Sequence, residues 1–508
     1  MTESLYEAST MWHLVARRAA ATPDAPMLLD AADRRVTFGE FAAWAERVAA
    51  GLQALGVGEG TPVTWQLPTR METVVASMAL SRLGAVQNPI ITIYREREVG
   101  FALKQTGAHL FLVPGEWRGF DYEAMGARIG VAPVLVAYDT LPEGDPTSLP
   151  PPPSGDAIRW VYFTSGTTAD PKGVQHTDQT LLAGGKGLAM ALAMGPPDVG
   201  SMAFPFAHIG GPDYLVTVLA SGFPVVLMES FVPTEAVEVY GRHGVTMAGG
   251  STAFYTAFLA EQRKDPATKV IPSLRLLSGG GAPKPPEVYY EVKREMGVTT
   301  AHGYGMTEVP MITQGSPSDS DDQLANSEGA AVAGASIRVV REDGTAADPG
   351  EEGEVRVRGP MVFKGYTDPT LDGEAFDDEG YFRTGDLGRL RADGHLTLTG
   401  RLKDVIIRKG ENISAKEVED LLYQHPKVAD VAVIGLPDPE RGERVCAVIE
   451  AAGDPPTLAD IATYLRDAGL MVQKIPEQLE VVEKLPRNAT MKVLKFQLRD
   501  AYRDKPWG

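Results

Sequence analysis

Residues 162–177 read YFTSGTTADPKGVQHT. Thr164, Ser165, Thr167 and Thr168 bring four hydroxyls to one short loop, with Gly166 among them and Pro171 and Lys172 closing it. Backbone amides of a glycine-containing turn, joined by such hydroxyls, form a concave donor array suited to phosphate oxygens, and a lysine adds a point charge. The string departs from the nucleotide-binding pattern G-x-x-x-x-G-K-[ST], because no Gly-Lys-Ser/Thr triplet ends it. Taken alone it reads as an anion loop or as a plain turn. The preceding AIRWVYF (157–163) is a near-continuous apolar run, as a buried strand would be.

Working outward, the pattern alternates. VTFGEFAAWAERVAAGLQALG (36–56) starts with Thr37 and Glu40 at capping-box spacing and then repeats apolar residues at helical intervals. TRMETVVASMALSRLGAV (69–86) predicts a second amphipathic helix, and PVVLM (224–228) a buried strand. Strands alternating with helices predict an α/β fold around a parallel sheet covered on both faces. LPEGDPTSLPPPPSGD (141–156) predicts an irregular linker, and SPSDSDDQLANSE (316–328) an acidic loop. Beyond it EGEVRVRG (352–359) and GHLTLTG (394–400) alternate with period two between glycines, predicting half-exposed antiparallel strands. NISAKEVEDLLYQHP (412–426) carries Ser414 and Glu417 as a further capping box, with Pro426 as its stop, and VADVAVIGLPD (428–438) predicts a strand. These last segments predict a small C-terminal α+β domain.

Length and composition exclude several classes. A chain of 508 residues is long enough for two or more well-filled domains. Hydrophobic residues at 44% and charged residues at 23% are ordinary for a soluble globular protein. A net charge of −19 disfavours nucleic acid and anionic membrane as partners, since both repel excess carboxylate. The single Cys446 excludes an internal disulfide framework and fits a reducing compartment. The start of the chain lacks a signal-peptide pattern, and no run approaches the ~18 apolar residues of a membrane span. The expectation is a cytoplasmic protein without a transmembrane segment.

Five further stretches follow the opening loop in order. SGGGAP (278–283) comes after the apolar SLRLL, a glycine turn at a strand end, where open α/β sheets bind ligands. GYGMTE (303–308) offers a ring between glycines, then a hydroxyl and a carboxylate. YFRTGDLG (381–388) holds Asp386 in a tight turn, from which a carboxylate can accept from two adjacent sugar hydroxyls. TGRLKDVIIRKGENIS (399–414) sets Arg401, Lys403 and Lys409 around a short apolar strand, and LPRNATMKVLK (485–495) presents Lys492. Each has a plain alternative: Asp386 as a turn carboxylate, Tyr304 as a core aromatic, Glu308 as a helix-start carboxylate, the basic residues as a solvated face. Their joint occurrence in this order is specific.

In these motifs the sequence resembles the acyl-adenylate-forming superfamily, which includes acyl-CoA synthetases, aryl-CoA ligases, beetle luciferases and peptide-synthetase adenylation domains. The resemblance runs from the N-terminal helices to Lys492. It implies a large N-terminal domain of two α/β subdomains and a β-barrel (residues 1–402), and a mobile C-terminal domain (403–508) hinged near Lys403. It also implies two steps: a carboxylate attacks the α-phosphate of ATP to give acyl-AMP and pyrophosphate, and a thiol then displaces AMP. Carried over residue by residue, Thr164, Ser165, Gly166, Thr167, Thr168 and Lys172 embrace the β- and γ-phosphates. Gly281, Ala282 and Pro283 lie against adenine, within a nucleotide contact that continues through Gly303, Tyr304, Gly305 and Met306, with Tyr304 stacking on the base. Thr307 bonds the α-phosphate and Glu308 holds Mg²⁺, a hard ion suited to oxygen ligands. Asp386 grips the ribose beside Arg401. Lys492 bridges the carboxylate and the α-phosphate, where charge accumulates. After adenylation the C-terminal domain swings, and Lys409 and Gly410 border the path of CoA.

Two departures carry expectations of their own. Met491 stands where most of the family has a glycine before the lysine, which is expected to reshape or slow that loop. SGGGAP is richer in glycine than the common form, which is expected to widen the acyl end. The candidate acyl pocket combines His208 and Gly210 of FPFAHIGG, Phe254 of MAGGSTAFYTAFL, and Gly279 and Gly280. This lining favours an apolar acyl group without an amine. Amino-acid-activating relatives place an aspartate near the position of His208; Asp213 is nearby in sequence. His176 and His302 have no assigned role, and the eight histidines show no zinc spacing. AGGSTAFY and VPGEWRGFDY look most like ligases of medium-chain or alicyclic acids such as cyclohexanecarboxylate. The expectation is an ATP-dependent acyl-CoA ligase of an apolar acid, with ATP, Mg²⁺ and CoA. The alternatives are loading of a carrier-protein phosphopantetheine, a luciferase-like monooxygenase, and a catalytically idle nucleotide-binding module.

Overall fold

Strand Ile158–Thr164 enters a six-stranded sheet beside Val86–Pro89, with Pro62–Trp65, Leu110–Val113 and Val134–Val136 beyond, all parallel. Lys172–Thr177 adds an antiparallel edge, pairing Lys172 with Thr164, so the two ends of the opening loop stand side by side. The computed structural model describes residues 5–164, 171–282, 284–409, 411–488, 491–503 and 505.

Helix Phe38–Ala54 carries the full capping box: Glu40 N–H donates to the Thr37 hydroxyl at 3.2 Å, and Thr37 N–H to the Glu40 carboxylate at 2.8 Å. Helix Met71–Leu83 forms where expected but has no exposed polar face, because every residue of it is buried. Its polar side chains find partners instead of water. Glu72 pairs with Arg34 and Arg70, Ser77 donates to Gln87, and Arg82 pairs with Glu46. A polar stripe thus faces protein, and only its hydrogen bonds make the burial tolerable.

A second sheet joins Gly200–Met202, Val225–Leu227 and Pro26–Asp30 in parallel, with Arg35–Thr37 antiparallel at its edge. A third runs Met247–Gly250, Leu276–Gly279 and Thr299–Met306 in parallel, then turns back through Val309–Gln314. The strands expected to build the barrel pair antiparallel in the order Ser336–Val340, Glu352–Arg358, Phe382–Leu390, Leu396–Arg401. The acidic stretch 316–328 is not all loop. Asp321–Asn326 is helical, because Ser320 and Gln323 form a capping box that the run of aspartates obscured. Within the linker 141–156, Pro146–Ser148 forms one 3-10 turn.

Past the turn Leu402–Asp404, strands Ile406–Arg408, Glu411–Ile413, Val428–Asp438, Gly442–Ala451 and Gln478–Val482 form a separate sheet. It packs with helices Ala415–Tyr423 and Leu458–Asp467 around its own core, which includes Ile406, Val418, Leu422, Val433 and Ile449. The molecule is therefore a large N-terminal domain with a small C-terminal one. The expected capping box at Ser414 is only half made. Ser414 accepts from Glu417 N–H, but the Glu417 carboxylate reaches across to Lys474 at 2.6 Å.

Candidate active site

The ends of the third sheet, the antiparallel sheet and the C-terminal domain converge on one group of charged side chains. Asp386 and Arg401 are cross-strand partners on Phe382–Leu390 and Leu396–Arg401, and the Arg401 guanidinium lies 2.9 Å from the Asp386 carboxylate. The other carboxylate oxygen accepts from the Tyr304 hydroxyl at 2.6 Å. Asp386 is 4% exposed, so these two donors replace its water. Tyr304 is itself buried beside Val309, Ile312 and Phe382, with its hydroxyl turned to Asp386.

Lys492 arrives from the C-terminal domain. Burial lowers its pKa to about 7, with Arg401 and Lys403 pushing the same way and Asp386 and Asp404 opposing them. The same ammonium acts on His208, whose pKa burial first, and then Lys492, lowers to about 4. His208 Nδ1 accepts from Gly210 N–H at 3.2 Å, so the neutral ring carries its proton on Nε2. The structure thus brings Lys492, His208, Asp386 and Arg401, far apart in sequence, into one electrostatic neighbourhood.

The lysine loop explains its unusual residue. Asn488 and Lys492 close a tight hairpin: Asn488 N–H donates to the Lys492 carbonyl, and Lys492 N–H to the Asn488 side chain, each at 2.9 Å. Met491 adopts φ 65°, the left-handed conformation that glycine takes freely. Holding a methionine there costs about 1 kcal/mol. Met491→Gly is expected to leave acid-dependent ATP–pyrophosphate exchange at or above the wild-type rate. Met491→Val, β-branched and worse in this region, is expected to lower it about three- to tenfold.

Thr307 and Glu308 occupy the turn between Thr299–Met306 and Val309–Gln314. Glu308 is 9% exposed, and its carboxylate accepts from the Tyr366 hydroxyl at 3.0 Å. Burial raises its pKa, and Lys172 partly offsets this. The Lys172 ammonium lies 5.1 Å from the centre of the Tyr366 ring, so the closing lysine of the opening loop and Glu308 share one neighbour. Among the described residues no cluster of three or more His, Cys, Asp or Glu could hold a metal alone. A lone, nearly buried carboxylate is a hard oxygen donor that fits an ion arriving with phosphate oxygens.

On the acyl side, a Cβ on Gly279 would fall 2.5 Å from the Gly250 backbone, and one on Gly280 2.6 Å from the Gly303 carbonyl oxygen. These glycines let strand ends approach closely. Phe254 is buried, its ring tilted 34° against that of Phe231 with centroids 4.1 Å apart. Asp213 is 1% exposed between helices Asp178–Leu192 and Gly210–Ser221, beside Gly184, and burial raises its pKa to about 8. It is a neutral interior carboxyl at pH 7, unlike a partner for a substrate ammonium.

Other expected contacts stand apart or beyond reach. Lys409 is exposed, with φ 50° and its N–H on the Arg441 carbonyl, and is not among the charges that chiefly act on Lys492. Ser165, Gly166, Thr167, Thr168, Pro283 and Gly410 lie outside the described residues. Sequence reasoning gave no role to His176 and His302, which prove to be buried with both ring nitrogens engaged. Tyr366 on Glu308 was also missed; a lone tyrosine in FKGYTD carries no local signal.

Comparison with known proteins places this geometry. The AMP-binding enzyme family model matches residues 15–367, and the AMP-binding enzyme C-terminal domain model residues 417–492. A medium-chain fatty-acid–CoA ligase of Escherichia coli is 33% identical over 509 residues, covering 96% of this chain and 89% of that one. A salicyl-AMP ligase, or salicyl-S-ArCP synthetase, of Mycobacterium tuberculosis is 32% identical over 500 residues, covering 93% and 87%. The solved structure of o-succinylbenzoate coenzyme A synthetase from Bacillus subtilis, in complex with ATP and magnesium ion, matches with a TM-score of 0.84 at 30% identity, over 96% of this chain and 99% of that one.

Proposed function

The chain belongs to the AMP-binding enzyme family and is an ATP-dependent acyl-adenylating ligase, and we propose that it makes the CoA thioester of an apolar carboxylic acid, medium-chain or alicyclic. The observation that carries this reading is Lys492, delivered by the C-terminal domain to the electrostatic neighbourhood of His208, Asp386 and Arg401. Attack of a carboxylate on the α-phosphate sets anion against anion. The Lys492 ammonium relieves that repulsion as charge develops, and Thr307 bonds the α-phosphate. His208 offers its Nε2–H toward the reacting carboxylate. Asp386 and Arg401 orient the ribose, Gly281 to Pro283 and Tyr304 seat the base, and Thr164 to Thr168 with Lys172 receive the departing pyrophosphate. Glu308 would hold Mg²⁺, which when bound supplies charge neutralisation to the phosphates.

In the second step the domain comprising residues 403–508 turns about Lys403 and withdraws Lys492. Lys409 and Gly410 then border the approach of the CoA thiol, which attacks the acyl carbonyl and expels AMP. Among the described residues no helix is long and apolar enough to cross a membrane. The apolar acid is supported by Phe254 and its neighbours and by the withdrawal of Asp213 into the interior. A carrier-protein phosphopantetheine is the second acceptor to consider, since a relative of similar identity is named as a salicyl-S-ArCP synthetase.

ATP–pyrophosphate exchange over a panel of acids, with mass detection of thioesters, tests the reading. Exchange with octanoate-like or cyclohexanecarboxylate-like acids and a CoA thioester is expected. A carrier thioester without a CoA product would transfer the assignment to the second acceptor, and no exchange with any acid would leave an idle module. The pH profile adds a check. With the ligand-free pKa of Lys492 at about 7, the ammonium is present below that pH and lost above it. The value of kcat/KM for exchange, which reports the free enzyme, is expected to fall as pH rises through about 7.

A further inference from the structure

His176 lies on Lys172–Thr177, the strand that leaves the opening loop, and is fully buried. Its Nε2 stands 2.7 Å from the carbonyl oxygen of Thr307, and its Nδ1 2.8 Å from the Thr180 hydroxyl. A carbonyl can only accept, so Nε2 carries the proton and Nδ1 accepts from Thr180. Burial holds the pKa near about 4, so the ring is neutral and one tautomer satisfies both contacts. His302 repeats the design. Its Nε2 is 2.9 Å from the Ala282 carbonyl oxygen, its Nδ1 3.3 Å from the Tyr255 hydroxyl, and burial, with Lys284 adding to it, lowers its pKa to about 3.

An ordinary core histidine would be satisfied anywhere. These two are satisfied by carbonyls within the two backbone stretches read as nucleotide contacts. The Thr307 carbonyl belongs to the peptide that joins Thr307 to Glu308. A trans peptide points its carbonyl and its N–H in opposite directions, so fixing the carbonyl on His176 also aims the Glu308 N–H. That N–H bonds the carboxylate of Glu308 itself. His176 therefore ties the strand leaving the phosphate loop to the orientation of both Thr307 and Glu308.

We propose that His176 and His302 are positioning residues that hold, through Nε2–H to backbone carbonyl bonds, the Thr307–Glu308 turn and the Ala282 segment in their nucleotide-binding conformations. This rests on the reading of Thr307, Glu308 and Ala282 as contacts of ATP.

Leucine removes the donor at similar bulk; glutamine returns an amide N–H at comparable reach; asparagine stops short of the carbonyl. Calorimetric titration of wild-type and variant protein with Mg²⁺ and a non-hydrolysable ATP analogue requires no knowledge of the acid. His176→Leu and His302→Leu are each expected to weaken binding about tenfold, with glutamine at either position restoring most of it. Where a leucine variant fails to fold, the asparagine variant is compared with the glutamine variant and is expected to show the same loss. In exchange assays His176→Leu is expected to raise KM for ATP and leave KM for the acid unchanged. Leucine variants that bind the analogue as tightly as wild type, or glutamine variants as weak as leucine, would overturn the proposal. Wild-type protein that binds the analogue yet exchanges pyrophosphate with no acid would defeat the functional reading instead, leaving the titration to judge the two histidines.

Discussion

Lys492→Ala is expected to lower acid-dependent ATP–pyrophosphate exchange by about 10²–10³-fold, the usual loss when one preorganised stabiliser of transition-state charge is removed. Its neighbours cannot stand in for it. Arg401 is engaged with Asp386 at 2.9 Å, and Lys403 belongs to the short turn Leu402–Asp404 rather than to the hairpin that carries Lys492. The hairpin itself, closed by Asn488 and Lys492, is built from backbone and the Asn488 side chain, so truncating the lysine leaves its frame intact. Lys492→Arg keeps the charge but spreads it over a planar group of different reach, and is expected to recover only part of the rate. Exchange of labelled pyrophosphate under saturating ATP and acid reads all three proteins.

Asp386→Asn is the second large effect. The asparagine oxygen can still accept from Tyr304, so the change isolates the charge. Two losses follow. Hydrogen bonds to a charged group are worth about 1.5–3 kcal/mol each, so a weakened ribose contact is expected to raise KM for ATP about 10- to 100-fold. The second loss passes through Lys492. Asp386 is one of two carboxylates that raise the pKa of that lysine against burial, Arg401 and Lys403. Without it the pKa falls below about 7, and at pH 7 most of the lysine becomes neutral. The alkaline limb of kcat/KM therefore moves to lower pH, so the variant loses more activity at pH 8 than at pH 6. A parallel loss at both values would show that Asp386 acts on ribose alone.

Much of the fold was legible because its signals are local. The capping box at Thr37 and Glu40, the apolar strand 157–163 and the alternation in EGEVRVRG each lie within a few residues, and each formed as the local chemistry requires. What failed depended on neighbours from elsewhere. Helix Met71–Leu83 looks half polar until Arg34, Gln87 and Glu46 arrive to bury its polar side. The Glu417 carboxylate leaves its cap because Lys474 offers a charged partner.

The site followed the same division. The ordered motifs named Lys492, Asp386, Glu308 and Thr307, whose side-chain chemistry advertises itself. His176 and His302 were silent because their partners are backbone carbonyls, 131 and 20 residues away, and no residue type marks a carbonyl's direction. At Met491 the structure adds what composition could not give: φ 65°, the left-handed conformation to which a glycine is suited.

The central claim is that one site is used twice and that Lys492 serves only the first use. The most direct measurement supplies the Lys492→Ala protein with preformed acyl-adenylate and CoA and follows thioester formation in a single turnover. The account predicts a thioester rate close to wild type in a variant that no longer exchanges pyrophosphate. A variant that exchanged at the wild-type rate, or that lost thioester formation as fully as adenylation, would contradict it.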